Sequence, residues 1–449
     1  MRWWSLALLG ACATHVPMRA LSPGEEPTHD IDDRLEAVLE TEKLAGACEA
    51  WRLGDDTGAT RLRCGKQLFF HETFGTTGIP TSLLVFLQEH YAGYYGRGFS
   101  SLGLVADPAS GEGLPVGLAP SRGDTQAFTC AACHFGRLPD GRYAVGFGNT
   151  RFEYGAFIAS LGAPLLLSFD PEAPSVAPTL REALRPHVQA AQARSGYGVR
   201  STVLGTALMM KGWASSPLGL GSQERHLKLP PGVLDFLTPP LLDDGVWAPS
   251  RVLSLWNLPT AEQRAAAGMP GEMLSWNGGI PSLEVFMQGF VAFGFGRQEP
   301  DDPRYGPLRD YVQRLRAPSP PGRRDDEGAQ LFDARGCRAC HAGPSGEGTR
   351  VFTFAEVGTD PEYANIYGPK PDGTACCGLD AGSPYITRGI KAPRLAGVWA
   401  ASRLLHDGSV ASLEALFCLE PRETPAHRQT CDGLTEAERR ALLGFVRSW

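Results

Sequence analysis

Residues 129–136 read Thr-Cys-Ala-Ala-Cys-His-Phe-Gly, and the pentad inside them, Cys130-x-x-Cys133-His134, decides how the chain is read. A bare C-x-x-C fits half a zinc site or a redox pair. With a histidine directly behind it, the two thiols can add across the vinyl groups of a haem while the histidine ligates the iron from one face. With 11 Cys and 10 His in 449 residues, chance alone supplies about 0.006 such pentads. A second one is nevertheless present, Cys337-Arg-Ala-Cys340-His341. Two attachment sites so far apart in sequence are too widely separated for one haem fold, so the chain is expected to carry two covalently bound haem c groups in two haem domains. Two C-x-x-C pairs could instead combine into a four-thiolate zinc site, but zinc gives no reason for a His after each pair.

Composition bounds the rest. A 449-residue chain that is 43% hydrophobic can bury a large core and has length for two or three domains, while 54 Gly and 36 Pro imply much irregular loop. A formal charge of -7 argues against a nucleic-acid partner. The chain opens with Arg2, a short apolar run and small residues, as a secretory signal does. Within that run, Leu9-Gly10-Ala11-Cys12 resembles the bacterial lipobox, whose Cys becomes the lipidated first residue; ordinary cleavage nearer Ala20 is the other reading. Either way the chain is expected to be exported, to the periplasm or the extracellular face, and to meet the membrane through a lipid anchor only. No other segment reaches the roughly 18 apolar residues of a membrane span. Export suits the six further cysteines, Cys48, Cys64, Cys376, Cys377, Cys418 and Cys431. Cys48 with Cys64 and Cys418 with Cys431 would each close a short disulfide loop. The adjacent Cys376 and Cys377 could bond to each other or carry redox chemistry.

The surroundings of the two pentads repeat. Gly65-Lys-Gln-Leu-Phe69 stands ahead of the first and Gly328-Ala-Gln-Leu-Phe332 ahead of the second. Downstream, Trp276-Asn-Gly-Gly-Ile-Pro-Ser-Leu-Glu284 keeps register with His406-Asp-Gly-Ser-Val-Ala-Ser-Leu-Glu414, and Arg251 to Pro259 echoes Lys391 to Trp399. These are two diverged copies of one unit. The second is compact: Glu327 to Arg335 has a helical pattern with Leu331 and Phe332 facing in, and Thr435-Glu-Ala-Glu438 is a capping box opening a last helix with Ala437, Ala441, Leu442, Phe445 and Val446 on one face. The first copy carries insertions, about 60 residues between Phe69 and Cys130 and another block around Pro171 to Leu241.

On the two pentads, Trp276-Asn-Gly, and Lys391-Ala-Pro-Arg-Leu to His406-Asp-Gly-Ser, the chain resembles the bacterial di-haem cytochrome c peroxidase superfamily. The haem spacing, Leu255-Trp-Asn-Leu-Pro259 and the segment around His427 lean toward its di-haem rubber-oxygenase-like branch. The resemblance implies a mainly α fold of two cytochrome c-type haem domains, with long loop-rich insertions in the first. Boundaries are expected at 1–12 for the lipoprotein signal, 13–310 for the N-terminal haem c domain and 311–449 for the C-terminal one.

A haem with one open axial face can react with a ligand; one filled on both faces only transfers electrons. The superfamily's usual Met ligand of the C-terminal haem falls here on Glu420, and no Met follows Met287, so a His or Tyr replaces it unless that face is open. By the resemblance, His427 takes the position of the branch's distal His, with His406 its rival. The resemblance also puts Trp276 between the haems as an electron relay, although a Trp beside Gly278 can equally be core. The Gln and Glu that peroxidases place after that Trp fall on Phe286 and Gly296, so Phe286, Phe290, Phe293 and Phe295 would form a dry pocket, suited to dioxygen and an apolar substrate. Glu284 or Gln288 could serve instead if the loop is shifted, and Met273 or Met287 could close haem 1.

The expected function is therefore that of a redox enzyme, cytochrome c peroxidase-like or a dioxygenase. Haem 1, on Cys130, Cys133 and His134, would meet peroxide or dioxygen. Haem 2, on Cys337, Cys340 and His341, would exchange electrons with a small redox protein or other donor or acceptor. The alternatives are a non-catalytic electron-transfer cytochrome with both irons six-coordinate, and a haem-based sensor.

Overall fold

The computed structural model describes residues 30–76, 78–154, 157, 231–235, 249–293, 301–320, 324–359, 389–422 and 424–449. The expected signal and Cys12, most of the second insertion, Phe295, Cys376 and Cys377 lie outside them.

Two pairs of crossed helices organise the described chain. In the first, Gly58–His71 packs on Tyr305–Arg314, and in the second, Asp326–Ala334 packs on Glu436–Arg447. Both crossings are set by a glycine. A Cβ on Gly65 would collide with the Pro307 carbonyl and Tyr311 Cβ, and one on Gly328 with the Ala441 carbonyl and Phe445 Cβ. Four residues on, Phe69 meets Tyr311 edge to face at 5.9 Å and Phe332 meets Phe445 at 5.2 Å. The Gly-x-x-x-Phe of each copy is thus one device, a close approach locked by an aromatic pair.

The repeat continues in the loops. Leu274 bridges Ile280 and Leu404 bridges Val410. Ser275 and Leu405 both take positive φ, as do Gly278 and Gly408, and each loop leads into a helix, Leu283–Phe293 or Leu413–Leu416. The first unit includes Tyr305–Arg314 as its closing helix, and Leu308, Val312 and Leu315 belong to its core. A boundary at 310 would cut that helix, Tyr305–Arg314.

The second unit follows its sequence pattern with one exception. The helix Asp326–Ala334 is capped by the Asp325 carboxylate on Gly328 N, and Gly336 takes positive φ just before Cys337. The last helix opens on the Thr435/Glu438 capping box. Its inner face holds Ala441, Leu442, Leu443, Phe445 and Val446, whereas Ala437 is exposed. The first turn precedes the packed crossing and stands clear of the partner helix.

The 60-residue insertion builds a second core together with the segment that follows the first pentad. Leu83, Leu84, Phe86, Phe99, Phe152 and Phe157 close on one another beside Phe128. A small antiparallel sheet of Ile79–Pro80, Thr125–Phe128 and Leu118–Pro120 carries the chain from this core into the first pentad. Cys48 is bonded to Cys64, and Cys418 to Cys431. No helix of the described residues is long and apolar enough to cross a membrane.

Candidate functional site

Both pentads form a helical turn that aims its histidine inward. Cys130–His134 is a single turn between the strands Thr125–Phe128 and Phe135–Arg137. It is tied down by Gly146 N donating to His134 O at 2.7 Å and Asn149 N to Cys133 O at 2.8 Å. Cys337–Ala339 is a tighter turn, closed by His341 N donating to Cys337 O at 3.0 Å. The four thiols are free and half-buried. Burial pushes those of Cys130 and Cys133 up to about 12, so they are held as thiols. The two pairs stand in separate cores, with Cys133 against the insertion core and Cys337 against the C-terminal one.

In the second unit the structure brings two histidines together. The ring centres of His341 and His427 lie 6.5 Å apart. Two imidazoles bonded to opposite sides of one metal ion, each at about 2 Å, would have their centres about 6 Å apart. His341 Nδ1 donates to the Gly346 carbonyl at 2.5 Å, which leaves Nε2 as the lone-pair nitrogen, the arrangement that orients a metal-ligating imidazole. Gly346 holds positive φ to place that carbonyl. Burial pulls the pKa of His341 down to about 4 and lowers that of His427. Both rings are neutral at pH 7, the form that ligates metal, and His427 Nδ1 is buried without a partner. His134 is held neutral in the same way, its pKa lowered to about 4 by burial. Its Nδ1 is buried without a hydrogen-bond partner among the described residues.

His406, the rival ligand, is elsewhere. It is buried with Nδ1 3.2 Å from Thr359 Oγ1, and its ring meets Trp276 edge to face at 6.3 Å. The two residues that correspond in the repeat therefore face each other between the units. Trp276 Nε1 donates to the Arg251 carbonyl at 2.9 Å, and the Arg251 guanidinium lies 5.2 Å from the indole centre.

The phenylalanines are divided. Phe286 is half-buried against the first core, whereas Phe290 is 37% exposed. The enclosed four-phenylalanine pocket is not assembled among the described residues, because the stripe of this helix turned to the core is Leu283, Met287 and Val291, and Phe286 and Phe290 stand at its edge. The Phe293 side chain lies outside what is described. Glu284 is taken by an ion pair with Arg309. Met287 is buried in the first core and Met273 reaches Gly278.

Sequence reasoning missed the groups around this junction. Arg251, Glu347 and Lys391 are buried, and Arg394 Nη2 donates to the Ser254 carbonyl at 2.6 Å. Burial lowers Lys391 to about 7 and Arg251 to about 10. Their signal in the sequence was position: Arg251 and Lys391 open the two echoing segments.

No protein-family model matches the chain, and no curated protein does. Among solved structures, hydrazine synthase of Kuenenia stuttgartiensis is similar at 18% identity and a TM-score of 0.30, over 46% of this chain and 74% of that one. The likeness is too slight to inform the site.

Proposed function

We propose that this chain is an exported, lipid-anchored di-haem c-type cytochrome of two cytochrome c-like units, acting as a redox enzyme. Cys130 and Cys133 would hold one haem with His134 as its protein ligand. Cys337 and Cys340 would hold the other between His341 and His427. A bound haem supplies one-electron redox chemistry and, where one axial face is free, a place for peroxide or dioxygen. The chain's own residues do the rest. Gly346 fixes the His341 tautomer, His427 would be a second protein ligand of the haem at the second site, and Trp276 with His406 provides a packed aromatic contact between the units along which electrons would pass.

What carries the proposal is the nearness of the buried His341 and His427 rings, 6.5 Å between centres, with Nδ1 of the former tied to a carbonyl. A disulfide or a plain core has no use for two neutral buried imidazoles beside a C-x-x-C, and a two-cysteine, two-histidine zinc site, which would use them, gives no reason for a His directly after both C-x-x-C pairs. The test is made on chain matured in cells that attach haem c. Pyridine haemochrome analysis should give two haems per chain. Carbon monoxide added to the reduced protein should shift about half of the haem absorbance. Peroxide and dioxygen consumption then separate peroxidase from oxygenase. Failure of any haem to attach would refute the haem assignment; haem that ignores carbon monoxide would refute the open site.

A further inference from the structure

Three cations converge where the two repeats meet, and none has a carboxylate of the described residues within ion-pair distance. Arg251 and Lys391 are 8% and 3% exposed. Among the described residues, Arg251 Nε donates to the Leu405 carbonyl at 3.2 Å and Lys391 Nζ to the Ala392 carbonyl at 3.4 Å. Arg394 spends Nη2 on Ser254 O, and its Nε is buried with no partner. The carboxylate that most offsets Lys391 and Arg394 is Glu347. One of its oxygens accepts from Ser345 N at 2.9 Å and the other has no partner. Among the described residues the three cations stand against Glu347 and Glu272, the second already ion-paired with Arg264, which leaves positive charge held away from water, costly unless an anion sits with them.

The placement of the cations identifies that anion. Arg251 and Arg394 line one cleft of about 30 Å³ together with Ser254 and Leu253, room for a carboxylate group or about two waters. The Arg394 charge acts on His134 and the Lys391 charge on His341. The unmatched charge is thus distributed to both pentads. We infer that Arg251 and Arg394 in the cleft and Lys391 on the His341 side form an anion seat between the repeats that pairs one carboxylate group of each haem, one in the cleft and one at Lys391. This rests on the proposal that both pentads carry haem. Paired there, the cations would hold the potential of each site up by opposing the loss of an electron.

Optical redox titration of the two-haem protein tests the inference. Lys391→Met should lower the potential of the site on His341, and Arg394→Met that of the site on His134. Each should shift the redox equilibrium about tenfold, about 59 mV for one electron. Arg394→Gln serves where Met disrupts packing. Lys391→Arg and Arg394→Lys keep the charge and should keep the potentials. Unchanged potentials in the neutral variants, with both haems attached, overturn the inference, and so do charge-keeping variants that shift as far as the neutral ones. Inorganic phosphate should not move the wild-type potentials; if it does, the seat serves a free anion and the inference falls. A wild-type chain without covalent haem defeats the functional proposal instead.

Discussion

Arg251 and Lys391 close each other's repeat. Arg251 N donates to the His406 carbonyl at 2.6 Å, and Lys391 N donates to the Trp276 carbonyl at 2.7 Å. The strand entering each unit's loop is hydrogen-bonded to the loop of the other, so Trp276 and His406 are positioned by an exchange between units rather than by their own cores.

That exchange makes Trp276 testable. Trp276→Phe removes the Nε1 bond to the Arg251 carbonyl while keeping a ring against His406. The carbonyl it leaves is buried, so stability should fall by about 1–3 kcal/mol, read as a lower midpoint in denaturant. If the indole relays electrons, reduction of one haem after the other should slow in stopped-flow absorbance. An unaltered rate with the expected loss of stability would leave Trp276 a core residue only.

His427→Ala should open the far face of the second site. The haem on His341 would change from a six-coordinate low-spin spectrum to a five-coordinate high-spin one in optical and EPR spectra, and added imidazole should restore the original. His406→Ala should leave that spectrum in place, because His406 packs on Trp276 and not opposite His341. Unchanged spectra in His427→Ala would remove it as a ligand.

The two crossing glycines should be equally intolerant. Gly65→Ala and Gly328→Ala each drive a methyl into the backbone of the facing helix, and forced overpacking costs about 1–3 kcal/mol. Thermal melts should show similar losses in both variants. A tolerated Gly65→Ala beside a damaging Gly328→Ala would mean that the first pair of helices is not packed as the second is.

What could be read in the sequence was local or repeated. The Thr435/Glu438 cap lies within four residues and needs no tertiary partner, and the inward set from Ala441 to Val446 follows helical periodicity. The partner of Gly58–His71 was not legible, because Arg61 and Asp310 meet 249 residues apart and Tyr305–Arg314 has its own charges buried. Lys66 reads as a surface lysine, yet it is buried, its Nζ 2.7 Å from Glu40 and 3.1 Å from Asp30. The repeat held the missing clue: Gly328 has a closing helix, so Gly65 needs one. His427 was placed by resemblance, and its burial against His341 depends on the chain returning around the Cys418–Cys431 disulfide. Phe286 and Phe290 share a helix face by their spacing, but the spacing does not say that the core takes the neighbouring stripe of Leu283, Met287 and Val291.

The terminal cap sets a dependence on acid. Glu438 accepts from Thr435 N at 2.7 Å and from Arg335 at 2.8 Å. The Thr435 backbone bond first, then Arg335 and the Thr435 hydroxyl, pull its pKa from 4.5 down to about 2. The folded chain therefore binds this proton more weakly than the unfolded chain does. Its stabilising effect is present above the unfolded value and is lost as pH falls from about 4.5 toward 2. Neutral Glu438→Gln retains an acceptor for Thr435 N but has no such titration. The difference in stability between wild type and Glu438→Gln should be largest above pH 5 and shrink steadily below about 4.5, as followed by denaturant unfolding under far-ultraviolet circular dichroism. Taking the difference removes the buried histidines, His341 and His427, which must also protonate in acid and act on both proteins alike. A difference that stays constant over that range would mean that the Glu438 carboxylate is not held by the cap in solution.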